Sequence, residues 1–547
     1  MRRRALAMAT VTMLPLAAFT PASAALPGEQ DRRGPTQRIA AQSIGWKPCH
    51  KRHRDTNRPQ YRRLECATLK APLDWKKPSG KKITLAISRL KARKQVKGVL
   101  FTNPGGPGAA GWTLPLIFID TDRARLLDHM DIIGIDIRGT GYSTQASCKD
   151  AYGGTYDSRD RSRSNIRAML FWAQEQAKGC QKYGGKKLPS KYVTTAQTVY
   201  DLEWIRRNLK ASDGRKVKKV HWVGYSGGTW IGAYYARKWP KSTGRFVLDG
   251  VVDFSGSWQS FFDTQPKAFQ ARFEAFARWA AQYDDAYGLG GSQKAVLATY
   301  ERVRAVAAKK YGIEVTRPDG RIESFSADQI DYTIISALYS KYLFADLALT
   351  LKDLVSAATG DASRKPLAGR AAQNPYAGET PTFYNLTCND TPNTRNPREL
   401  VKFSGQSGKK YPLAGYSRLM DPCAYWKKVP GGLKLSRPVG GGLPRVLMVH
   451  SMGDPATPYI GAVKAHKAYQ NSRLVTVADE GDHGIYAGDN PCVNDIVENY
   501  LIDGVYPRRD VTCQGTAASV PRVADRAADR PVNPLLRAWE LSASGRG

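Results

Sequence analysis

An α/β fold, with a mostly parallel central sheet and an inserted, mainly helical cap, is predicted by three observations. From residue 83 short apolar runs alternate with helical stretches, which is how a parallel sheet covered on both faces reads. The alternation lapses from about Phe254 to Arg437 and then resumes, as an insertion between two strands would require. Finally, VHWVGY runs into Ser226 and on into GGTWIGAYYARKW, a strand, a tight turn and a helix in succession.

In chain order, residues 1–24 read as a secretory signal peptide. Arg2 to Arg4 form a positive start, Ala5 to Phe19 an apolar run, and Ala22-Ser23-Ala24 a small-residue cleavage site. The run is short for a membrane span and no later segment is long, apolar and uncharged, so a soluble mature chain without a span is expected. Residues 25–40 are polar and read as a propeptide or a flexible N-terminus.

Residues 41–253 should hold the first part of the sheet unit, with ITLAISRL, GVLFTNP, DIIGIDI, VHWVGY and RFVLDGV as strands. In TVYDLEWIRRNL, Val199, Leu202, Ile205 and Leu209 fall at helical spacing and would pack that helix on the sheet. Residues 254–437 form the expected cap. Phe269, Phe273, Phe276, Ala280 and Tyr283 recur every three or four residues and stop before Gly288, an amphipathic helix whose aromatic stripe reads as core. A second helical stretch is ADQIDYTIISALYSKYLFADLALTLKDLVSAA. Residues 438–513 return to the sheet with RVLMVH and RLVTVAD, and the tail 514–547 has no strong pattern, docking one helix or staying loose.

Composition excludes several classes. With 547 residues, 42% of them hydrophobic, the chain can bury a large core and is not disordered. Eight cysteines without a C-x-x-C pair favour disulfides over metal ligation in an exported protein. Spacing does not fix their connectivity, but 49 with 66, 148 with 180, 388 with 423 and 492 with 513 close the shortest loops. The net charge of +35 is spread along the chain, which reads as solubilising and also allows electrostatic association with an anionic cell envelope. Nucleic acid is a poor partner, since no zinc-finger spacing or RNA-binding aromatic signature accompanies the charge.

The chemistry follows from the turn at residue 226. A serine hydroxyl needs a neutral imidazole to take its proton and a carboxylate to orient that imidazole. Of seven histidines, His483 stands in DEGDHGIYA, a polar loop directly after RLVTVAD, and is the expected base. Asp454 in VHSMGDPATP gives the order Ser, Asp, His and is preferred as the acid to Asp249 or Asp253, while Asp479 and Asp482 shape the loop. Oxyanion donors are expected from the N–H of Gly227 and, in the loop TNPGGPGAAG, from Gly106 with Gly105 behind it. No G-K-[ST] follows that loop, so it is not a phosphate cradle, and the chemistry needs neither cofactor nor metal.

The set PGGPG, DIRGTGYS (136–143), GYSGGTW, LDGVVD, GDPATP, DHG and YNLTCND (384–390), with the leader, resembles the secreted bacterial tripeptidyl aminopeptidases. The resemblance runs from about residue 40 to 513. It implies an α/β-hydrolase fold, a cap restricting access, and release of short peptides, often tripeptides, from free N-termini. Gly228 departs from the bulkier aromatic residue frequent in that family's turn, and its loss would widen the pocket. Such an enzyme must also hold a protonated amine, for which Asp253, Asn389 and Asp390 are candidates; Asn389 and Asp390 read more readily as a turn beside a disulfide, and Arg138 as a loop brace. The expected protein is a secreted, extracellular monomer that acts on peptide or protein N-termini. A carboxylesterase or lipase with the same triad, and a non-catalytic envelope-binding protein on this fold, are the alternatives.

Overall fold

The computed structural model describes residues 36, 39–49, 59–149, 156–310, 312–316, 320, 322–360, 380–391, 393, 395–428, 431–518, 533–537 and 540. The leader, most of the 25–40 segment and most of the tail beyond 518 lie outside them.

One ten-stranded sheet organises the molecule. It is built from β1 (Lys47–Pro48), β2 (Glu65–Pro72), β3 (Lys82–Leu90), β4 (Gly98–Asn103), β5 (Met130–Asp136), β6 (Val220–Tyr225), β7 (Thr243–Asp249), β10 (Val446–Ser451), β11 (Ser472–Ala478) and β12 (Val511–Gln514). The order is β1-β2-β3-β5-β4-β6-β7-β10-β11-β12. From β5 to β12 every pairing is parallel, whereas β1, β2 and β3 join antiparallel at one edge. This is the α/β-hydrolase arrangement.

All seven runs read as strands are strands. The sheet begins earlier than residue 83, however, because β2 pairs with β3 along its whole length, from Glu65↔Arg89 to Pro72↔Lys82. Its inward residues include Ala67 and Ala71, too small to mark the alternation clearly. Along the central strands, alternate side chains enter two different cores: Phe101 and Trp222 pack on one face, Leu100 and Val223 on the other. Burial on both faces is why these strands read as continuous apolar runs.

Helices α1 (Arg163–Gln181), α2 (Thr195–Asn208) and α3 (Gly227–Lys238) follow β5 and β6. In α2, Val199, Leu202 and Ile205 are buried as their spacing predicts, and Thr194 caps the first turn by accepting from Gln197 N. Between β7 and β10 the chain forms α4 (Gln265–Ala281), α5 (Gln293–Lys310), α6 (Ala327–Ala337), α7 (Phe344–Thr359), α8 (Thr380–Asp390) and α9 (Pro397–Lys410). The same region carries a small hairpin of β8 (Ile313–Thr316) and β9 (Ile322–Phe325), which the helical reading of the cap did not include. Phe269, Phe273, Phe276 and Ala280 are buried in the cap's own core. A further helical turn, Asp284–Tyr287, ends at Gly288, whose φ of 64° is the left-handed cap a glycine supplies. Helices α10 (Tyr459–Ala468) and α11 (Pro491–Glu498) complete the sheet unit.

Four disulfides join the cysteines nearest in sequence: Cys49–Cys66, Cys148–Cys180, Cys388–Cys423 and Cys492–Cys513. Arg138 is an internal brace. Fully buried, it donates to both Asp201 oxygens (2.6 and 2.7 Å) and to the carbonyls of Pro72, Leu73 and Tyr192, tying the 136–143 loop to α2. Among the described residues no helix is long and apolar enough to cross a membrane.

Candidate active site

The strand order creates a crevice. β4 is flanked by β5 on one side and β6 on the other, so the loops leaving the carboxyl ends of β4 and β6 diverge at a topological switch point. Ser226 stands there, between β6 and α3, with φ 52° and ψ −125°, backbone angles strained for a residue with a side chain. Its N–H donates to Asp249 O at 2.9 Å, which holds the turn to β7.

The flanking glycines have a steric reason. A Cβ at Gly224 would lie 2.5 Å from Gly228 O, and one at Gly228 would lie 2.8 Å from both Asn103 O and Asn103 Oδ1. Gly228 therefore faces the end of β4. The expectation that it widens a pocket is corrected: the glycine permits backbone approach, and a larger residue there would push β4 away.

The β4 loop lies directly on this turn. A Cβ on Gly105 would come within 2.4 Å of Tyr225 O and 2.8 Å of Gly227 N, and Gly105 and Gly106 have φ of 93° and 102°. The N–H of Gly105 is taken by Asn103 Oδ1 at 3.0 Å. The N–H groups of Gly106 and Gly227, the latter at the first position of α3, meet no acceptor among the described residues. Asp136 anchors the far end of the loop, accepting from Gly111 N and Trp112 N with Oδ1 and from Tyr142 N with Oδ2.

Asp454 and His483 meet at the carboxyl ends of β10 and β11. His483 Nδ1 and Asp454 Oδ2 are 2.8 Å apart, and both residues are buried. Asp454 Oδ1 accepts from Ala456 N and Thr457 N, both at 2.8 Å, and Oδ2 accepts from Thr457 Oγ1 at 2.7 Å. Burial alone would raise this carboxyl, but the His483 charge and hydrogen bond, with the Thr457 amide, hold it below the usual carboxylate range. With the ring proton on Nδ1 facing the carboxylate, Nε2 is left as a lone pair; it is buried and unpartnered among the described residues.

Asp249 does not reach the imidazole. Its Oδ2 accepts from Ile485 N (2.9 Å) and Tyr486 N (2.7 Å), bracing the backbone just after His483, while its carbonyl holds Ser226 N. Asp249 thus ties the serine turn and the histidine loop together. Burial pushes its carboxyl up to about 7, against the two backbone donors. An unfolded Asp titrates near about 3.9, so between these values only the folded state keeps the proton. The resulting stability is full below the unfolded value and is lost as pH rises to about 7. Asp249→Asn, which keeps an oxygen for both donors, is expected to gain thermal midpoint relative to wild type as pH rises from 4 to 8; a constant difference across that range would refute it.

Three supports escaped the sequence. His450, buried and held neutral by burial, accepts Val251 N at Nδ1 (2.8 Å) and donates from Nε2 to Thr457 O (2.6 Å), fixing the Asp454 loop. Asn533 Nδ2 donates to His483 O and Gly484 O, and the buried Leu535 packs on Gly484, so the tail docks behind the histidine. The third is the cap's hold on the same loop, where Asp482, expected only to shape it, meets Arg272, Ser340 and Lys341.

A family model described as TAP-like protein matches residues 411–513. The tripeptidyl aminopeptidase of Streptomyces lividans is 34% identical over 501 residues, covering 88% of this chain and 89% of that one. The chain belongs to the tripeptidyl aminopeptidase family. It is therefore a serine hydrolase of peptidase type. The serine protease Hip1 of Mycobacterium tuberculosis (strain ATCC 25618 / H37Rv) is 27% identical over 86% of this chain and 91% of its own. Carboxylesterase B of the same organism is 29% identical over 94% and 99%.

Two of the amine-site candidates are already engaged by the fold. Asn389 Nδ2 donates to Ser190 O and Val193 O, and its Oδ1 accepts from Trp426 Nε1, so its polar atoms serve the fold. Asp390 accepts from Thr195 N and Thr195 Oγ1 at the start of α2, with burial raising it to about 6. Both residues satisfy polar groups that the packing of α8 would otherwise orphan, beside the Cys388–Cys423 disulfide. Asp253 is different. Its Oδ1 accepts from Ser255 N and Ser255 Oγ, and Oδ2 has no such partner among the described residues.

Proposed function

We propose that this serine peptidase is a secreted exopeptidase that releases short peptides, tripeptides foremost, from free N-termini through an acyl-enzyme. The observation that carries the reading is the buried His483–Asp454 pair at 2.8 Å, its Nε2 unengaged, at the same sheet edge as the strained Ser226.

In this mechanism Ser226 Oγ attacks the scissile carbonyl while His483 Nε2 takes its proton, and Asp454 orients the ring and stabilises the imidazolium. The N–H groups of Gly227 and Gly106 receive the developing oxyanion. Collapse expels the amine of the shortened substrate with the proton from His483, and water then hydrolyses the ester on Ser226. Asp253 is the remaining candidate for the substrate amine. The leader-like N-terminus, four disulfides and +35 charge support export and association with an anionic envelope.

The test is a chromogenic tripeptide anilide with a free or an acetylated N-terminus, beside a short-chain nitrophenyl ester. Turnover of the free-amine anilide alone is expected. A second reading, an esterase, is favoured by the 29% identity to a carboxylesterase, and hydrolysis of the ester with neither anilide would replace the peptidase reading.

A further inference from the structure

Within the loop that carries His483, Glu480 Oε1 supplies the internal hydrogen bonds, accepting from Gly481 N and Asp482 N. Asp479 has a positive φ of 52°, and Gly481 and Gly484 flank the remaining residues. Further contacts to the loop come from the cap. The continuous helical pattern from 327 to 358 is broken between α6 and α7, with no glycine or proline at the break. There Tyr339 O accepts His483 N at 2.9 Å, and the Tyr339 ring meets the imidazole edge to face at 5.4 Å. Ser340 Oγ donates to Asp482 Oδ2 (2.8 Å) and Lys341 N to Asp482 Oδ1 (2.6 Å).

Two cap cations complete the grip. Lys341 Nζ is 2.5 Å from Glu480 Oε2 and also donates to Thr516 O, with both side chains of the ion pair at most 4% exposed. The same Glu480 carries the loop's two N–H contacts on Oε1. Arg272 Nη2 on α4 is 2.9 Å from Asp482 Oδ1, and its guanidinium lies so close to Gly481 that a Cβ there would be 2.2 Å from Nη1. Two cations and two carboxylates balance, so the cluster is neutral. Buried pairs of this kind add little net stability over apolar packing, but losing one partner leaves the other charge buried and unpaired.

We propose that Arg272 and Lys341 are positioning residues for His483, acting through Asp482 and Glu480 so that the docked cap holds the imidazole in register with Ser226. This rests on the reading of His483 as the base. The cap then does more than restrict access: undocking it would remove the base from the nucleophile.

The experiment compares wild type with His483→Ala, Arg272→Met, Arg272→Lys and the charge-neutral pair Lys341→Met with Glu480→Gln, in which Gln can keep the loop's two N–H contacts. kcat, KM and thermal midpoint are measured on whichever substrate wild type hydrolyses. Arg272→Met and the neutral pair should lose about tenfold to a hundredfold in kcat with KM within about twofold, the cost of a small misplacement. Arg272→Lys should recover most of the loss. A folded neutral pair with kcat within about twofold of wild type overturns the proposal. So does loss of the folded state in both Arg272→Met and the neutral pair, since the cluster would then determine the fold. Retained activity in His483→Ala instead overturns the underlying mechanism.

Discussion

Ser226→Ala is expected to lower kcat by about 10⁴-fold to 10⁶-fold while leaving the protein folded. The backbone bond from residue 226 N to Asp249 O and the start of α3 at Gly227 do not involve the hydroxyl, so removing it takes away the nucleophile alone. Residual rate over water should persist, because the Gly106 and Gly227 N–H groups and the substrate contacts remain. Kinetics on the tripeptide anilide with a thermal melt would decide it. A folded variant within about tenfold of wild type would remove Ser226 from the mechanism.

Asp454→Asn should cost about 10⁴-fold in kcat for a different reason. The amide oxygen can take the place of Oδ1 and keep both backbone donors, Ala456 N and Thr457 N, so the loop stays in place. The amide nitrogen then faces His483 Nδ1 as a donor. That forces the ring proton onto Nε2, where a lone pair must receive the serine proton. The same change removes a carboxylate whose folded pKa is depressed. Its stabilisation is present above the ordinary aspartate value of about 3.9 and is lost as pH falls through the lower folded value. The variant should therefore melt below wild type at pH 7, with the gap closing in acid. Kinetics and melts across pH test both parts, and a variant with wild-type kcat would return the acid role to another residue.

Asp249 shows how close the competing choice was. It ends β7, neighbours the site and is fully buried, yet it grips the backbone after His483 and leaves the ring to Asp454. Sequence order favoured Asp454, but only the packing distinguishes a carboxylate aimed at an imidazole from one aimed at two amides.

What the sequence by itself determined is what depends on local stereochemistry. The turn at Ser226, the strands before and after it, the buried faces of α2 and α4, and the order Ser226, Asp454, His483 all follow from periodicity, glycine placement and turn chemistry within a few residues. The edge strand β2 escaped because Ala67 and Ala71 blur its alternation. The direction Gly228 faces, the hydrogen bonds that tie Asn389 and Asp390 into the fold, and the break at residues 338–340 were settled only by tertiary structure. Lys341 and Glu480 are 139 residues apart, and Asn533 reaches His483 across 50. A polar side chain's role depends on which group packs opposite it, and that partner is chosen when the cap and tail close on the sheet. The residues proposed to react were therefore legible one by one, while those that hold them in place became visible only in the folded chain.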